Sequence, residues 1–397
     1  MSSNSIVAIY TQSLLSTQSA SSGLFTRIEE HGQTPSTLAR SARNPLTVSR
    51  LFPSMHTLSS LSSIRDPSRY SGKQTTHFED DVGLLAIDSA HIGQGFQFDV
   101  RRVKLCCDRG FYVQKSALSA AYRKRATRES REQQEAAKRL IQAVFLEYRA
   151  LSHPPIRGHP NVVDILDLAW ETDPENRRDK WPVLILEYAD RGTMTTFLGQ
   201  SQFSLETRAK LCLDVANGLA VLHDSGVIHG DLNMNNVLIF TNSGVNSASV
   251  NKYTAKLADF GASSAELDTD HFRLYTKPWN APECFEVLDL TGLKMTDIYS
   301  FGLLCWSAIL GGRNPFRAVE AVSKRLSPED WDASLERLKK RDGGAELLRL
   351  AQESFSAAFG HLKAPAIVIE TTLQLDPSMR DLSKAVTAWE EFLNPLR

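Results

Sequence analysis

The chain has 397 residues and a mass of 44.2 kDa, which exceeds a typical domain of roughly 100–200 residues and predicts two or three folding units. Hydrophobic residues make up 42% of the chain and charged residues 23%, close to globular averages, which excludes a wholly disordered, fibrous or collagen-like protein. The 45 basic and 46 acidic residues nearly cancel, so a role in coating DNA is disfavoured and no nucleic-acid partner is expected.

The cysteines and the most apolar run bear on location. The five cysteines form no C-x-x-C pair and no Cys/His cluster at zinc spacing, which suits a reducing compartment and predicts a cytoplasmic protein. The basic run 123–131 leaves a nuclear alternative, although acidic residues interleave with it as on an ion-paired helix face. The run Tyr299–Leu310 is about a dozen residues long, whereas a membrane helix needs about 20, so it predicts a buried helix and no membrane span.

Residues 1–77 differ from the rest of the chain and are predicted to be a disordered leader. They are rich in Ser and Thr and have no sustained helical or strand period. A mitochondrial transit peptide is the alternative, because arginines accompany the serines, but Glu29 and Glu30 interrupt that pattern.

From Phe78 onward the composition is globular, and the predicted elements follow in order. Hydrophobic periodicity and turn residues predict strands and one long helix, then a mostly helical part with two more short strands. In chain order these are strands Leu84–Ile92, Phe98–Cys106 and Phe111–Lys115, helix Ser119–Leu151, strands Val162–Trp170 and Pro182–Tyr188, and later strands Val237–Phe240 and Ala255–Ala258. The change of character predicts two lobes, 78–188 and 189–397, joined by a connector at 187–192.

Four segments of the second lobe contain residues that suit phosphoryl transfer. Asp231 and Asn236 lie five residues apart, just before a predicted strand. Phosphoryl transfer requires an acid that accepts the hydroxyl proton and an amide oxygen that holds Mg²⁺, although Asp and Asn near a turn often serve only the turn. The later segments contain Lys256-Leu-Ala-Asp-Phe-Gly261, Tyr275-Thr-Lys-Pro-Trp-Asn-Ala-Pro-Glu283 and Thr296-Asp-Ile-Tyr-Ser-Phe-Gly302.

In this order and spacing, the four segments resemble the eukaryotic protein kinase family, with the likeness extending from about Phe78 to the C-terminus. The resemblance implies an α+β, bilobal protein kinase fold, with an antiparallel β-rich N-lobe that has one long helix and a mainly helical C-lobe. It implies a protein kinase that uses ATP and Mg²⁺ on a protein substrate, with serine or threonine favoured over tyrosine. It does not indicate an oligomeric state.

The resemblance also assigns roles in the C-lobe. Asp231 corresponds to the catalytic base, Asn236 and Asp259 to the metal ligands, and Thr276 to the residue that steadies the base. A structural ion pair is implied between Glu283 and Arg380.

In the N-lobe, Ile92–Val100 resembles a glycine-rich loop in which Gly93 and Gly95 let backbone amides approach the phosphates and Val100 covers the adenine. Phe98 stands where the family has a third glycine, which puts closure over the nucleotide in doubt. The nucleotide contacts implied by the resemblance are Gly93, Gly95, Val100, Lys115, Glu187 and Leu238.

Two lysines compete for the role of phosphate anchor. Lys115 lies on the predicted third strand, fifteen residues beyond Val100, as the resemblance requires, whereas Lys104 lies on the second strand, where a solvated face is the ordinary environment. Glu147 is the predicted partner of Lys115, because it lies on the same helix face as Leu140, Val144 and Leu151, and an acid in an apolar stripe is costly unless it meets a cation. A glutamate at the rim of the stripe that reaches water is the alternative.

Three residues depart from the family pattern. Gly230 precedes Asp231 where many kinases have Arg. That arginine pairs with a phosphate on the activation segment, so activation of this chain is not expected to require such a phosphate. Asn233 and Asn235 stand where a cation would assist the transfer, so a slow enzyme is expected. Three interpretations remain open at this point: an active protein kinase, a pseudokinase scaffold and a small-molecule kinase.

The leader generates the first prediction. Removal of residues 1–75 should leave the melting temperature nearly unchanged, because this segment has too little periodic apolar content to form part of a core. A fall of more than about 5 °C in a thermal melt, which corresponds to roughly 1–2 kcal/mol, would mean that the leader packs on the folded part.

Overall fold

A computed structural model describes residues 86–94, 98–105, 111–117, 131–172, 180–246, 249–265, 276–324, 326–327, 330–359 and 363–394. The predicted leader, Gly95 and most of the basic run lie outside these residues. The described chain divides into two compact units. The first contains the residues up to Pro154 together with Asp164–Tyr188, and the second contains Pro155–Val163 together with the residues from Ala189 onward.

The described residues of the first unit form a five-stranded sheet and one long helix. Neighbouring strands are all antiparallel, and their order is β1-β2-β3-β5-β4. The elements are β1 (Ala86–Gln94), β2 (Phe98–Leu105), β3 (Phe111–Ala117), helix α1 (Arg131–Ser152), β4 (Ile165–Thr172) and β5 (Lys180–Glu187). This confirms the predicted antiparallel, β-rich N-terminal part with its long helix.

The described part of α1 buries the face that the periodicity predicted. Val144, Glu147 and Leu151 are all buried, so the acid lies within the apolar stripe and not at its rim. Val183 and Ile185 of β5 form a small apolar cluster on the other face of the sheet from Lys115, because they pair with Ser116 and Gln114. The buried stripe of α1 thus contains one glutamate.

The strand predicted from Val162 begins only at Ile165. Val162 and Val163 belong to the second unit, where Val162 forms a bridge with Leu257 and the Val163 N–H donates to the Leu257 carbonyl at 2.9 Å. The apolar run in the sequence is therefore divided between two different sets of strand partners. Hydrophobic periodicity identifies extended backbone but not the strand with which it pairs.

Within its described residues, the second unit is mainly helical and has two short antiparallel ribbons, β6 with β9 and β7 with β8. Its strands are β6 (Val227–Ile228), β7 (Val237–Thr241), β8 (Tyr253–Leu257) and β9 (Ser264–Ala265). Its helices are α2 (Met194–Gln200), α3 (Leu205–Asp224), α4 (Leu290–Ile309), α5 (Pro315–Ala318), α6 (Glu320–Ser323), α7 (Trp331–Lys340), α8 (Ala345–Phe359), α9 (Lys363–Thr372) and α10 (Leu382–Leu393).

Helix α4 is the centre of the second unit. It begins after Asp289, whose carboxylate accepts the Gly292 N–H at 2.7 Å and caps the helix. Its second half is buried on every side, including Phe301 and Trp306, as the apolar run predicted. No helix in the described part of the chain is both long and apolar enough to span a membrane.

The predicted ion pair between Glu283 and Arg380 is present and buried. Arg380 Nη2 donates to Glu283 Oε2 at 3.0 Å, Nη1 bonds the other carboxylate oxygen, and the guanidinium lies 4.8 Å from the centroid of the Tyr299 ring. Nη1 also donates to the Met295 carbonyl at 2.8 Å. Because the pair is bidentate and its donors are further satisfied, it joins three segments of the second unit that are distant in sequence.

Gly218 of α3 packs directly against backbone. A Cβ atom at this position would lie 2.6 Å from the Asn161 carbonyl oxygen and 3.0 Å from Leu257 Cδ1. The Asn161 carbonyl already accepts the Leu257 N–H at 2.9 Å, so it is not free to move. The absence of a side chain lets α3 approach the start of the 161–163 segment closely.

Gly218→Ala should therefore destabilise the protein, although alanine normally favours a helix. The clash should lower the free energy of unfolding by about 1–3 kcal/mol, as overpacking does. Gly199→Ala is the matched control, because Gly199 lies in α2 and a Cβ there would meet nothing within 4 Å. Denaturant unfolding of both variants checks this, and equal stability of the two would show that the close approach has no energetic role.

Candidate active site

One buried carboxylate holds the backbone that leads to Asp231. Asp297 of α4 accepts the His229 N–H at 2.8 Å and the Gly230 N–H at 3.0 Å, one on each oxygen. Its Oδ2 also lies 3.0 Å from Nε2 of His223, near the end of α3. The segment before Asp231 is thereby fixed to two helices, which sets the direction in which it enters the turn.

Gly230 adopts a left-handed backbone conformation, with φ of 81°. A side chain at this position would be strained, because only glycine occupies that region freely. The residue that departs from the family pattern therefore suits the local backbone and allows its N–H to reach Asp297.

Asp231 lies in a network of amide and hydroxyl groups. Asn236 Nδ2 donates to the Asp231 carbonyl at 2.8 Å and to its carboxylate Oδ2 at 3.1 Å. Thr276 makes a side-chain hydrogen bond with the same carboxylate. The structure thus brings the predicted base together with two of its predicted neighbours, and the catalytic roles of all three stay predictions.

Asn233 has a structural function that the sequence did not reveal. Its Oδ1 accepts the Asn235 N–H at 2.9 Å, and its Nδ2 donates to the Asp231 carbonyl at 3.1 Å. It is buried and caps the short 3₁₀ turn Met234–Asn236. Because its polar atoms are engaged in this way, Asn233 stabilises the turn where the family pattern has a cation.

Asp259 follows strand β8 and is one of two described non-glycine residues with positive φ, at 64°. The preceding residue is held on both sides: the Ala258 N–H donates to the Asn236 carbonyl at 2.9 Å, and the Ala258 carbonyl lies 3.1 Å from His229 Nε2. Such a conformation costs on the order of 1–3 kcal/mol and persists where its surroundings impose it. The hydrogen bonds of Ala258 therefore connect Asp259 to both ends of the Asp231 segment.

Burial raises the pKa of the Asp231 carboxyl above its ordinary value, and the negative charge of Asp259 raises the pKa further. The hydrogen bonds from Thr276 and Asn236 and the nearby His229 oppose this rise. The net effect is a carboxylate that holds a proton more readily than an exposed aspartate does. Such a shift suits a group that accepts a proton during a reaction.

The predicted magnesium ligands have suitable chemistry. Mg²⁺ binds one or two protein oxygens and completes its shell with phosphate oxygens and water. Asp259 has a carboxylate, and the Oδ1 of Asn236 is not used in the two bonds that its Nδ2 makes to Asp231. One carboxylate and one amide oxygen therefore fit an ion that is shared with phosphate. In the part of the chain that the structure describes, no group of three or more His, Cys, Asp or Glu side chains could hold a metal ion.

In the first unit, Lys115 and Glu147 form a buried ion pair. Lys115 Nζ lies 2.6 Å from Glu147 Oε2, and the two side chains are 7% and 1% exposed. Lys115 is on the third strand, and Lys104, on the second, is half-buried. Of the two competing lysines, Lys115 is therefore the one that meets the predicted helix glutamate.

The other predicted nucleotide contacts occupy strands. Gly93 of β1 pairs with Val100 of β2, which lies opposite Lys115 in the next ladder. The Glu187 carboxylate accepts the Asp164 N–H at 2.7 Å, so its side chain has a structural partner. The remaining predicted contact within the described residues is the half-buried Leu238 of β7.

The sequence placed Asp297 in the fourth segment of the resemblance but did not reveal that it holds the His229 and Gly230 amides. The only available signal was an acidic residue in an otherwise apolar helix. Such a residue requires a partner when it is buried, and here the partners are backbone N–H groups.

The raised pKa of Asp231 generates a prediction about stability. Asp231→Asn should stabilise the protein near neutral pH, because the amide keeps an oxygen acceptor but has no charge to desolvate. Below the ordinary aspartate pKa of about 4, the wild type and the variant should have equal free energies of unfolding. As the pH rises through the higher folded-state pKa, the unfolded chain ionises first and the wild type loses stability relative to the variant. Denaturant unfolding from about pH 4 to pH 8 measures the difference.

Asp297→Asn is the matched control, because it also removes a buried carboxylate. Its NH₂ group would face the N–H donors of His229 or Gly230, so this variant should be less stable than the wild type throughout the pH range. A loss of stability in Asp231→Asn as large as that in Asp297→Asn would contradict the assignment of a raised pKa to Asp231.

Comparisons with known proteins agree with this geometry. The chain is 31% identical to the Serine/threonine/tyrosine-protein kinase HT1 of Arabidopsis thaliana, over 42% of this chain and 40% of the relative. It is 33% identical to the Dual specificity protein kinase zakA of Dictyostelium discoideum, over 37% of this chain and 19% of the relative. It is 27% identical to the Ephrin type-A receptor 5 of Rattus norvegicus, over 47% of this chain and 19% of the relative. The chain thus spans less than half the length of these relatives.

A sequence profile of the family described as protein tyrosine and serine/threonine kinase matches residues 124–336, more than half of the chain. The match contains Glu147, the Asp231 segment, Asp259 and Thr276, whereas Lys115 lies before it and is connected to it by the ion pair with Glu147. The chain belongs to the protein tyrosine and serine/threonine kinase family.

Proposed function

We propose that this chain is an active protein kinase that transfers the γ-phosphate of ATP to a serine or threonine hydroxyl of a protein substrate. The observation that carries the proposal is the buried Asp231 carboxylate, bonded by Asn236 and Thr276 and close enough to Asp259 for its charge to act on it. A pseudokinase has no requirement to maintain a buried carboxylate with a raised pKa.

Asp231 acts as the base. Its Oδ2 is held by Asn236 at 3.1 Å, so the carboxylate has a fixed orientation. As the substrate oxygen forms its bond to the γ-phosphorus, the bond between that phosphorus and the β-phosphate oxygen breaks and ADP leaves. The hydroxyl proton moves to Asp231, whose raised pKa favours its acceptance.

The remaining groups bind and orient the nucleotide. Lys115 would contact the phosphates while Glu147 fixes its ammonium, and Asn236 and Asp259 would hold magnesium. When bound, magnesium neutralises the charge on the phosphate oxygens. Asn233 and Asn235 supply no cation to the transferring group, so we expect a lower kcat than in kinases that have one.

Specificity for serine or threonine is supported by the hydrogen bond between Thr276 and Asp231. The resemblance associates a threonine at this position with serine/threonine kinases, where it steadies the base. The relatives include kinases named for serine, threonine and tyrosine, as well as an ephrin receptor, so family membership alone does not decide the preference.

We propose a cytoplasmic location, with ATP and a protein substrate as partners. Three of the five cysteines, Cys212, Cys284 and Cys305, are buried thiols, which is compatible with a reducing compartment. The substrate protein is to be identified by experiment.

Phosphate transfer to a panel of serine, threonine and tyrosine peptides tests the proposal. The wild type should phosphorylate serine or threonine peptides, and Asp231→Asn should lower kcat by about two orders of magnitude or more with ATP binding retained. Asp259→Asn should instead weaken the magnesium-dependent binding of ATP, because it removes a metal ligand.

Three outcomes would contradict the proposal in different ways. Undiminished transfer by Asp231→Asn would remove Asp231 as the base. ATP binding without transfer to any peptide or protein would favour the pseudokinase interpretation. Transfer only to choline or an aminoglycoside would identify a small-molecule kinase.

A further inference from the structure

Phe98 covers the ammonium of Lys115. The centroid of its ring lies 4.5 Å from Lys115 Nζ, and the residue is only 7% exposed. Phe98 stands at the third glycine of the family's loop pattern, where a glycine would leave this side of the lysine open. The contact between Phe98 and Lys115 is therefore specific to this chain, because it arises where the chain departs from the family's loop pattern.

The register of the sheet explains why the two side chains meet. In the β2–β3 ladder Val100 is opposite Lys115, and Phe98 is opposite Ala117. Because side chains alternate between the faces of a strand, Phe98, Val100 and Lys115 share one face. Phe98 and Lys115 are diagonal neighbours across the ladder, a separation that an aromatic ring and a long side chain can bridge.

A carboxylate and an aromatic ring are among the groups that stabilise the charge of Lys115. Glu147 Oε2 lies 2.6 Å from Nζ, and the Phe98 ring lies within the distance at which an aromatic face attracts a cation. The lysine side chain is only 7% exposed. An anion that binds Nζ must approach an ammonium already in contact with a carboxylate and an aromatic ring, and it must share or displace one of them.

We propose that Phe98 is a specificity-determining residue of the nucleotide site, in which its ring competes with the nucleotide phosphates for the Lys115 ammonium. The inference rests on the proposed function, because it takes Lys115 as the phosphate anchor. The ring lowers the affinity for ATP and ADP, and it has no such effect on adenosine, which has no phosphate.

A purely structural role for Phe98 makes a different prediction. Phe98 would then be a core residue at the start of β2, and its replacement would change the affinities for ATP and adenosine in parallel through altered packing. Its effect would also be the same whether or not position 115 has a positive charge. These two differences separate competition from packing.

The test measures the Kd of magnesium-ATP, ADP and adenosine by titration calorimetry on the full chain. Phe98→Leu keeps an apolar side chain of similar size but has no aromatic face, and it should lower the Kd of ATP and ADP by about three- to tenfold. Phe98→Tyr keeps the aromatic face and should bind ATP less tightly than Phe98→Leu. The Kd of adenosine should not differ among the three proteins.

Two further variants act as controls. Phe111→Leu removes a comparable contact on the same sheet, in which Arg102 Cζ lies 4.5 Å from the ring centroid, and it should leave the Kd of ATP unchanged. In a Lys115→Met background, Phe98→Leu should no longer tighten ATP binding, because the cation that the ring covers is absent. Thermal melts of each variant establish that the protein measured is folded.

Equal ATP affinity in wild type, Phe98→Leu and Phe98→Tyr would overturn the inference. A parallel change in the affinity for adenosine would also overturn it. So would tighter ATP binding caused by Phe98→Leu in the Lys115→Met background. The proposed function is judged separately, from phosphate transfer by the wild type. Transfer with no effect of Phe98→Leu on ATP affinity would reject the inference and keep the function. Tighter ATP binding by Phe98→Leu without transfer by any of the proteins would do the reverse.

Discussion

The geometry of the candidate site depends on the buried carboxylate of Asp297. Two successive backbone N–H groups, of His229 and Gly230, donate to its two oxygens, and a histidine of α3 approaches the same group. A buried carboxylate without such donors would be too costly to keep in a helix as apolar as α4. The carboxylate therefore fixes the backbone of His229 and Gly230. The orientation of Asp231 and of the turn after it depends on that backbone conformation.

From this fixed point, polar contacts connect the two predicted acidic groups. His229 bonds the Ala258 carbonyl and Asn236 bonds the Ala258 N–H, so the residue before Asp259 is held from both ends of the Asp231 segment. The arrangement keeps two negative charges near each other at the expense of stability. Active sites commonly contain such unfavourable charge pairs, which the rest of the fold must offset.

The sequence allowed prediction of features that depend on local pattern. The helix face that contains Glu147 follows from the hydrophobic period of 3.6 residues. Its partner Lys115 was predicted because a buried acid is costly without a cation. The segment around Asp231 was predicted from the order of the four motifs. Features that depend on which groups meet in three dimensions were not predictable. The capping function of Asn233 and the ring of Phe98 over Lys115 are of this kind, because a side chain's partner is set by register and rotamer.

The segment Pro155–Val163 has a consequence for how this chain can be divided. It belongs to the second unit although it precedes two strands of the first, and Asn161 and Val163 provide both backbone hydrogen bonds of Leu257. A fragment that starts at Ala189 would leave that edge of β8 unpaired and exposed to other chains. During synthesis, likewise, the segment Pro155–Val163 leaves the ribosome long before β8, the strand with which it pairs. The two units are interleaved in sequence, so neither corresponds to a continuous stretch of chain that could be exchanged alone.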